Sequence, residues 1–268
     1  MEIMGSLIGL VIVGGIIGWL INQRLKGENF PGKIYPHNVL VIDFENLIAQ
    51  FWKEKIGFSS FEEYKLFEKR LWELKKRFRK DSQVIKEMEK QIDMVAEIVA
   101  NTIWEIVKSI RKAGNGSEVN LIYLVGKKNG NIAMLYKVVE KLRGKCFKGK
   151  KCLVVGKLSP VETEIEDDII QSIVNHFVYN QKKALEKRDE FKGILQSPKL
   201  AKMWEKLFEW NREGELGVIL VSKDKDFKHL KLQKRTTVVD NLHISNKKGR
   251  IKLEFNLNRF RFKREVKL

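Results

Sequence analysis

The chain reads as an α/β protein built on a central, mainly parallel sheet, and three observations predict this. Asn38–Ile42 (NVLVI), Val119–Val125 (VNLIYLV), Cys152–Val155 (CLVV) and Gly217–Val221 (GVILV) are short continuous apolar runs, the look of strands buried on both faces. Stretches with apolar residues at helical spacing separate them, which is the β-α-β alternation of a parallel sheet. Hydrophobic residues make up 43% of 268, enough for one good-sized core.

Ahead of the first strand, Ile3 to Ile21 is an uncharged 19-residue run. At 1.5 Å per residue it would span roughly 28 Å, close to the hydrocarbon core of a bilayer, so residues 1–24 are expected to form a transmembrane anchor. A cleavable signal peptide fits less well, because the chain begins Met-Glu and the run closes on Trp19-Leu20-Ile21-Asn22 without a small-x-small site. Arg24, Lys26 and Lys33 follow the run and no cation precedes it. The positive-inside rule then puts a single-pass protein's large domain on the cytoplasmic side of the membrane. Gly5 with Gly9, and Gly14 with Gly18, set small-xxx-small spacings through which the anchor would form a homo-oligomer. Gly27 to Pro36 reads as a linker, leaving 37–258 as the main domain.

Within that domain a helix is expected from Leu47 to Gly57. Ser59 and Ser60, three residues ahead of Glu62 and Glu63, form a capping-box signature for a helix to about Lys80. Asp81 or Ser82 then caps a second helix whose apolar positions run from Val84 to Ile110, so residues 59–112 predict a long helical hairpin, a second surface for self-association. Gly114-Asn115-Gly116 stops it. A helix is expected over Ile132–Leu142, another from Glu164 with charged continuation to about Phe191, and a third opened by Ser197-Pro198 and running to Trp210. Thr236–Val239 and Ile251–Phe255 are late strands. Arg259 to Arg264 alternates cations with phenylalanines, as an edge strand guarded by charge would, and 259–268 is expected as a basic C-terminal tail.

Fifty-two Lys and Arg against 34 Asp and Glu give a net charge of +18, which favours polyanionic partners, RNA first among them. Cys146 and Cys152 have no CxxC spacing and no histidine at ligand distance in sequence, which argues against zinc; a disulfide between them is open, but so sparing a use of cysteine fits a reducing compartment better. His37, His176, His229 and His243 are scattered. Trp72, Trp104, Trp204 and Trp210 fall on helices, where packing is the expected role.

The chemistry gathers at acidic residues. Asp43 ends one apolar strand, Asp224 and Asp226 lie just past another, and Asp167-Asp168 fall in the first turn of the helix after the third strand. In open parallel sheets that carboxyl edge is where ligands bind. Each aspartate alone is also ordinary turn or cap chemistry. Three sets at matching strand ends are harder to explain that way. Converging carboxylates repel one another unless a hard divalent cation, Mg²⁺ or Mn²⁺, joins them. A cation held so supplies what phosphodiester hydrolysis needs.

At these residues the chain resembles a known family: VLVIDFENL, EDDII and ILVSKDKDF look like the three acidic motifs of the PIN-like NYN ribonuclease domains, in order, from about His37 to about Phe255. The resemblance implies a PIN-like three-layer fold, Mg²⁺ or Mn²⁺ dependence and hydrolysis of RNA by metal-activated water. It also implies Asp43 as the first-strand ligand, Asn46 as the asparagine that helps orient the site, Asp224 and Asp226 as the last motif with Ser222 as its hydroxyl, and Asp167 or Asp168 as the middle ligand. The spacing to Ile170 favours Asp167. Phe44 stands where family members commonly have glycine, and the hairpin and the 182–212 helices exceed a minimal domain. Lys127 and Lys128, after the second strand, are candidate phosphate contacts. The competing reading is an inactive PIN-like module that binds RNA or protein at the membrane. A Toprim-like domain would want glutamate where Asp43 stands, and no GxGxxG or Walker glycine pattern follows a strand.

Overall fold

The computed structural model describes residues 33–78, 82–127, 131–149, 152–159, 166–224, 227, 229–230, 234–247, 249–258 and 260–266. The Ile3–Ile21 run, Lys128 and Asp226 lie outside them. Among the described residues no helix is long and apolar enough to cross a membrane.

Seven strands form one sheet: β1 (His37–Asp43), β2 (Glu118–Lys127), β3 (Leu153–Ser159), β4 (Leu216–Val221), β5 (Thr236–Lys247), β6 (Arg250–Leu257) and β7 (Phe260–Val266). Their spatial order is β3-β2-β1-β4-β5-β6-β7. The first five pair in parallel and β6 and β7 are antiparallel additions. Eight helices are described: α1 (Phe44–Lys53), α2 (Phe61–Arg77), α3 (Gln83–Ala113), α4 (Ile132–Gly149), α5 (Glu166–Val178), α6 (Lys182–Glu186), α7 (Asp189–Gln196) and α8 (Pro198–Arg212).

Alternation along the strands sorts these helices onto two faces. Leu40, Ile42, Ile122, Leu124, Ile219 and Val221 share one core with α1, α3 and α4. Val39, Val41, Tyr123, Val125, Val218 and Leu220 share the other with α5, α7 and α8. The chain leaves β1 toward β2 and β3 on one side and returns to β4 on the other. The strand order therefore reverses between β1 and β4, which opens a crevice at their carboxyl ends.

The expected hairpin is present as α2 and α3. Ser60 caps α2 by accepting from the Glu63 amide (3.1 Å), and Glu63 accepts in return from the Ser59 amide (2.6 Å). Gly57, ahead of α2, has φ +85°, and a Cβ there would lie 2.1 Å from a Val95 methyl, so the chain passes α3 at a point only glycine fits.

Four expectations need correction. The helix predicted to run on to about Phe191 stops at Val178, because Asn180 adopts φ +56° and the Gln181 amide turns back to the His176 carbonyl (2.7 Å). Asparagine is among the few side chains that tolerate that backbone. Residues 260–266 are the expected edge strand and not a tail: β7 pairs with β6 and buries Phe262 against Phe255. Trp72 is 57% exposed with the Lys76 ammonium over its ring, whereas Trp204 is buried and Trp210 stacks on His37. Cys146 and Cys152 are joined as a disulfide, although the sequence favoured two thiols.

Both outer strands are covered in part. Arg143 reaches over β3 to donate to the Val154 carbonyl from Nε and Nη2 (3.3 Å each). On β7, Arg261 and Lys263 point outward to Glu254, and Arg264 Nε donates to Ser109 Oγ (3.1 Å).

Candidate active site

Asp43 is the last residue of β1 and the N-cap of α1, where its Oδ1 accepts from the Asn46 amide (3.0 Å). Cap chemistry thus accounts for one oxygen. Alternation turns its side chain to the sheet face that α5 covers. Ile42 pairs with Val221, so Asp43 and Ser222 are neighbours on that face, and Ser222 Oγ donates to Asp43 Oδ2 (2.7 Å). The Asp224 amide donates to the same Ser222 Oγ (3.0 Å), and the Lys223 amide donates to Asn46 Oδ1 (3.3 Å). These bonds tie the ends of β1 and β4 into one polar network across the switch point.

The electrostatics follow from burial. Asp43 is 5% exposed, and its carboxyl is raised from 3.8 to about 6. Burial is the main cause. The Ser222 and Asn46 hydrogen bonds oppose it, while the negative charges of Asp167 and Asp224 add to it. Of the two middle candidates, Asp167 is therefore the one whose charge reaches Asp43. Asp168 is exposed and lines a groove on the outer side of α5.

The structure brings together Asp43, Asn46, Ser222 and Asp224 by direct bonds, with Asp167 within electrostatic reach. Among the described residues no three of His, Cys, Asp or Glu stand close enough to share a metal ion. The donor set is nonetheless all hard oxygen, and its central carboxylate is held at a cost among other negative charges, which is the setting that suits Mg²⁺ or Mn²⁺. Each oxygen of Asp43 accepts one bond and keeps a second lone pair for a cation.

Two residues in this region carry roles the sequence did not suggest. Glu45 accepts from the amides of Lys127 (3.2 Å) and Asn131 (3.0 Å) and from Asn131 Nδ2 (2.6 Å), fastening the end of β2 and the residue ahead of α4 to the start of α1. Asn131 is buried by this contact, so of the lysine-rich turn only Lys127 is an exposed candidate among the described residues. Lys223, between Ser222 and Asp224, has its ammonium held below the usual lysine range by burial and then by the charge of Lys53. The charge of Glu54 offsets this in part, and no local sequence pattern joins residues 53 and 223.

No family model, no curated protein and no solved structure matches the chain.

Proposed function

We propose that the chain is a divalent-metal-dependent ribonuclease of the PIN-like NYN kind, held at the membrane by residues 1–24 with its catalytic domain on the cytoplasmic side. The observation that carries this reading is the bonded set Asp43–Ser222–Asp224 at the β1/β4 switch point, with the charge of Asp167 facing it. Asp43, Asp167 and Asp224 would hold the cation, with Asp226 as the further ligand that the motif implies. When bound, the cation supplies the positive charge that activates water and offsets the charge building on the phosphodiester.

The protein's own residues prepare this arrangement. Ser222 fixes the rotamer of Asp43 while its own oxygen is fixed by the Asp224 amide. Asn46 joins the two strand ends, so the carboxylates keep their spacing when substrate arrives. Lys127, exposed at the end of β2, would meet the phosphate backbone.

The test is incubation of the full chain, in detergent, with labelled RNA and DNA in Mn²⁺ or in EDTA. RNA cleavage in Mn²⁺ that disappears in EDTA and in Asp43→Asn is the expected result; cleavage by Asp43→Asn at the wild-type rate would remove the proposal. The alternative is a module that binds RNA without cutting it, for which the net charge of +18 is the support. Tight RNA binding with no turnover in Mn²⁺ is its signature.

A further inference from the structure

The outward face of α5 differs from that of its neighbours. Asp168, Gln171, Ser172, Asn175, His176 and Tyr179 recur at spacings of three and four residues and, with Gln181, line a shallow groove of about 500 Å³. By contrast α2 presents Lys65, Lys69, Arg70, Lys75, Lys76 and Arg77. The chain has 52 Lys and Arg in 268 residues, yet residues 158–181 contain none. The groove begins beside the acidic residues at the start of α5 and extends for about 16 Å along the helix. At its far end Gln181 also borders a second hollow, lined by Lys183 and Arg212.

Neutral amides, a hydroxyl and an imidazole are poor grips for phosphate, but each can both donate and accept, which is the chemistry that reads the edges of unpaired bases. Asn175 Oδ1 is buried without a hydrogen-bond partner, so a turn of this amide toward a base amino group would satisfy an acceptor the fold leaves unmet. Ser172 Oγ lies 3.5 Å from His176 Nδ1. Burial, and then the charge of Arg188, hold the imidazole below the usual histidine range, so it keeps an acceptor nitrogen near neutrality. Tyr179 is 63% exposed, an aromatic surface for stacking where the groove ends.

We infer that the outward face of α5, from Asp168 to Tyr179, is the track that reads the bases of single-stranded RNA leading away from the cut, with Tyr179 stacking on a base and Gln171 and Asn175 reading base edges. The position of the cut rests on the ribonuclease reading; the track itself does not. Lys183 and Arg212 receive the backbone beyond it.

The experiment measures binding of the full chain to fluorescent single-stranded RNA in EDTA, and base preference beside the cut in a random RNA pool with Mn²⁺. Tyr179→Ala is expected to weaken binding about tenfold. Gln171→Ala and Asn175→Ala are expected to flatten the base preference, and Lys69→Ala, on α2, to change neither. Thermal melting confirms that each variant is folded. Wild-type binding in folded Tyr179→Ala together with unchanged preference in folded Gln171→Ala overturns the track and leaves the ribonuclease reading standing. If wild type binds RNA but cuts none in Mn²⁺, the ribonuclease reading fails, and weaker binding by Tyr179→Ala still supports the track.

Discussion

At neutral pH the folded chain keeps Asp43 ionised in a site that disfavours the charge. Its folded value of about 6 lies above the ordinary 3.8, so the cation-free fold binds this proton more tightly than the unfolded chain does. The resulting stabilisation is complete below pH 3.8 and is lost as pH rises through about 6. Removing the charge should therefore help: Asp43→Asn is expected to stabilise the protein in EDTA by up to about 3 kcal/mol at pH 7 to 8, with the gain fading toward pH 4, as read by denaturant melts. Adding Mn²⁺ should stabilise wild type and not this variant. On the ribonuclease reading a bound cation competes with this proton, so the acid limb of metal-dependent cleavage should lie below pH 6 and move lower as Mn²⁺ is raised. Because the Ser222 hydrogen bond lowers the Asp43 value, Ser222→Ala is expected to move that limb to higher pH; a pH–rate profile with an unmoved limb would count against the network. Reading the sequence alone, one could pick out Asp43 and Asp224 from their places at strand ends, whereas Asn46 and Ser222 entered through the resemblance to the NYN motifs. Between Asp167 and Asp168 the spacing to Ile170 leaned to Asp167, and the charge that reaches Asp43 in the fold points the same way.

Among the elements, the end of β2 and the start of α4 are both tied to α1 through one carboxylate. Glu45→Ala leaves the amides of Lys127 and Asn131 and the Asn131 side chain without their acceptor, at an expected cost of about 1–3 kcal/mol in a urea melt. On the ribonuclease reading, loosening Lys127 should also raise KM for RNA more than it lowers kcat. The disulfide closes a loop of only six residues' separation between α4 and β3, so reduction should cost about 2 kcal/mol and loosen amides at that sheet edge before others, as hydrogen exchange can detect. The strands and the α2–α3 hairpin were legible because buried runs, helical period and the Ser60/Glu63 cap all agree locally. The break after α5 and the pairing of Cys146 with Cys152 were not. One depends on a single left-handed asparagine and the other on how closely α4 returns to β3, a tertiary distance.

For the whole molecule the dominant number is the net charge of +18. If RNA is the partner, affinity should fall steeply and log-linearly with salt, and a flat response between 50 and 200 mM would speak against phosphate contacts. The proposed anchor makes a separate prediction: if residues 1–24 hold the chain in a bilayer, the full chain should stay with membranes through an alkaline carbonate wash, and a chain lacking residues 2–24 should be released. The open sheet was predictable from four apolar runs. Its order was not, because period reveals which residues face inward and says little about which strand lies beside which. That order brings β1 and β4 together and with them residues 43 and 222, which are 179 positions apart.

The guarding of the two outer strands bears on how the protein behaves when crowded. Arg143 occupies one β3 carbonyl, and the cations of β7 put like charge beside the other margin, which disfavours another chain's extending the sheet there. Strand-by-strand growth into fibrils is thereby disfavoured at both ends. A protein built this way can reach high local density, as it would if confined to two dimensions, and still remain a population of separate folded units.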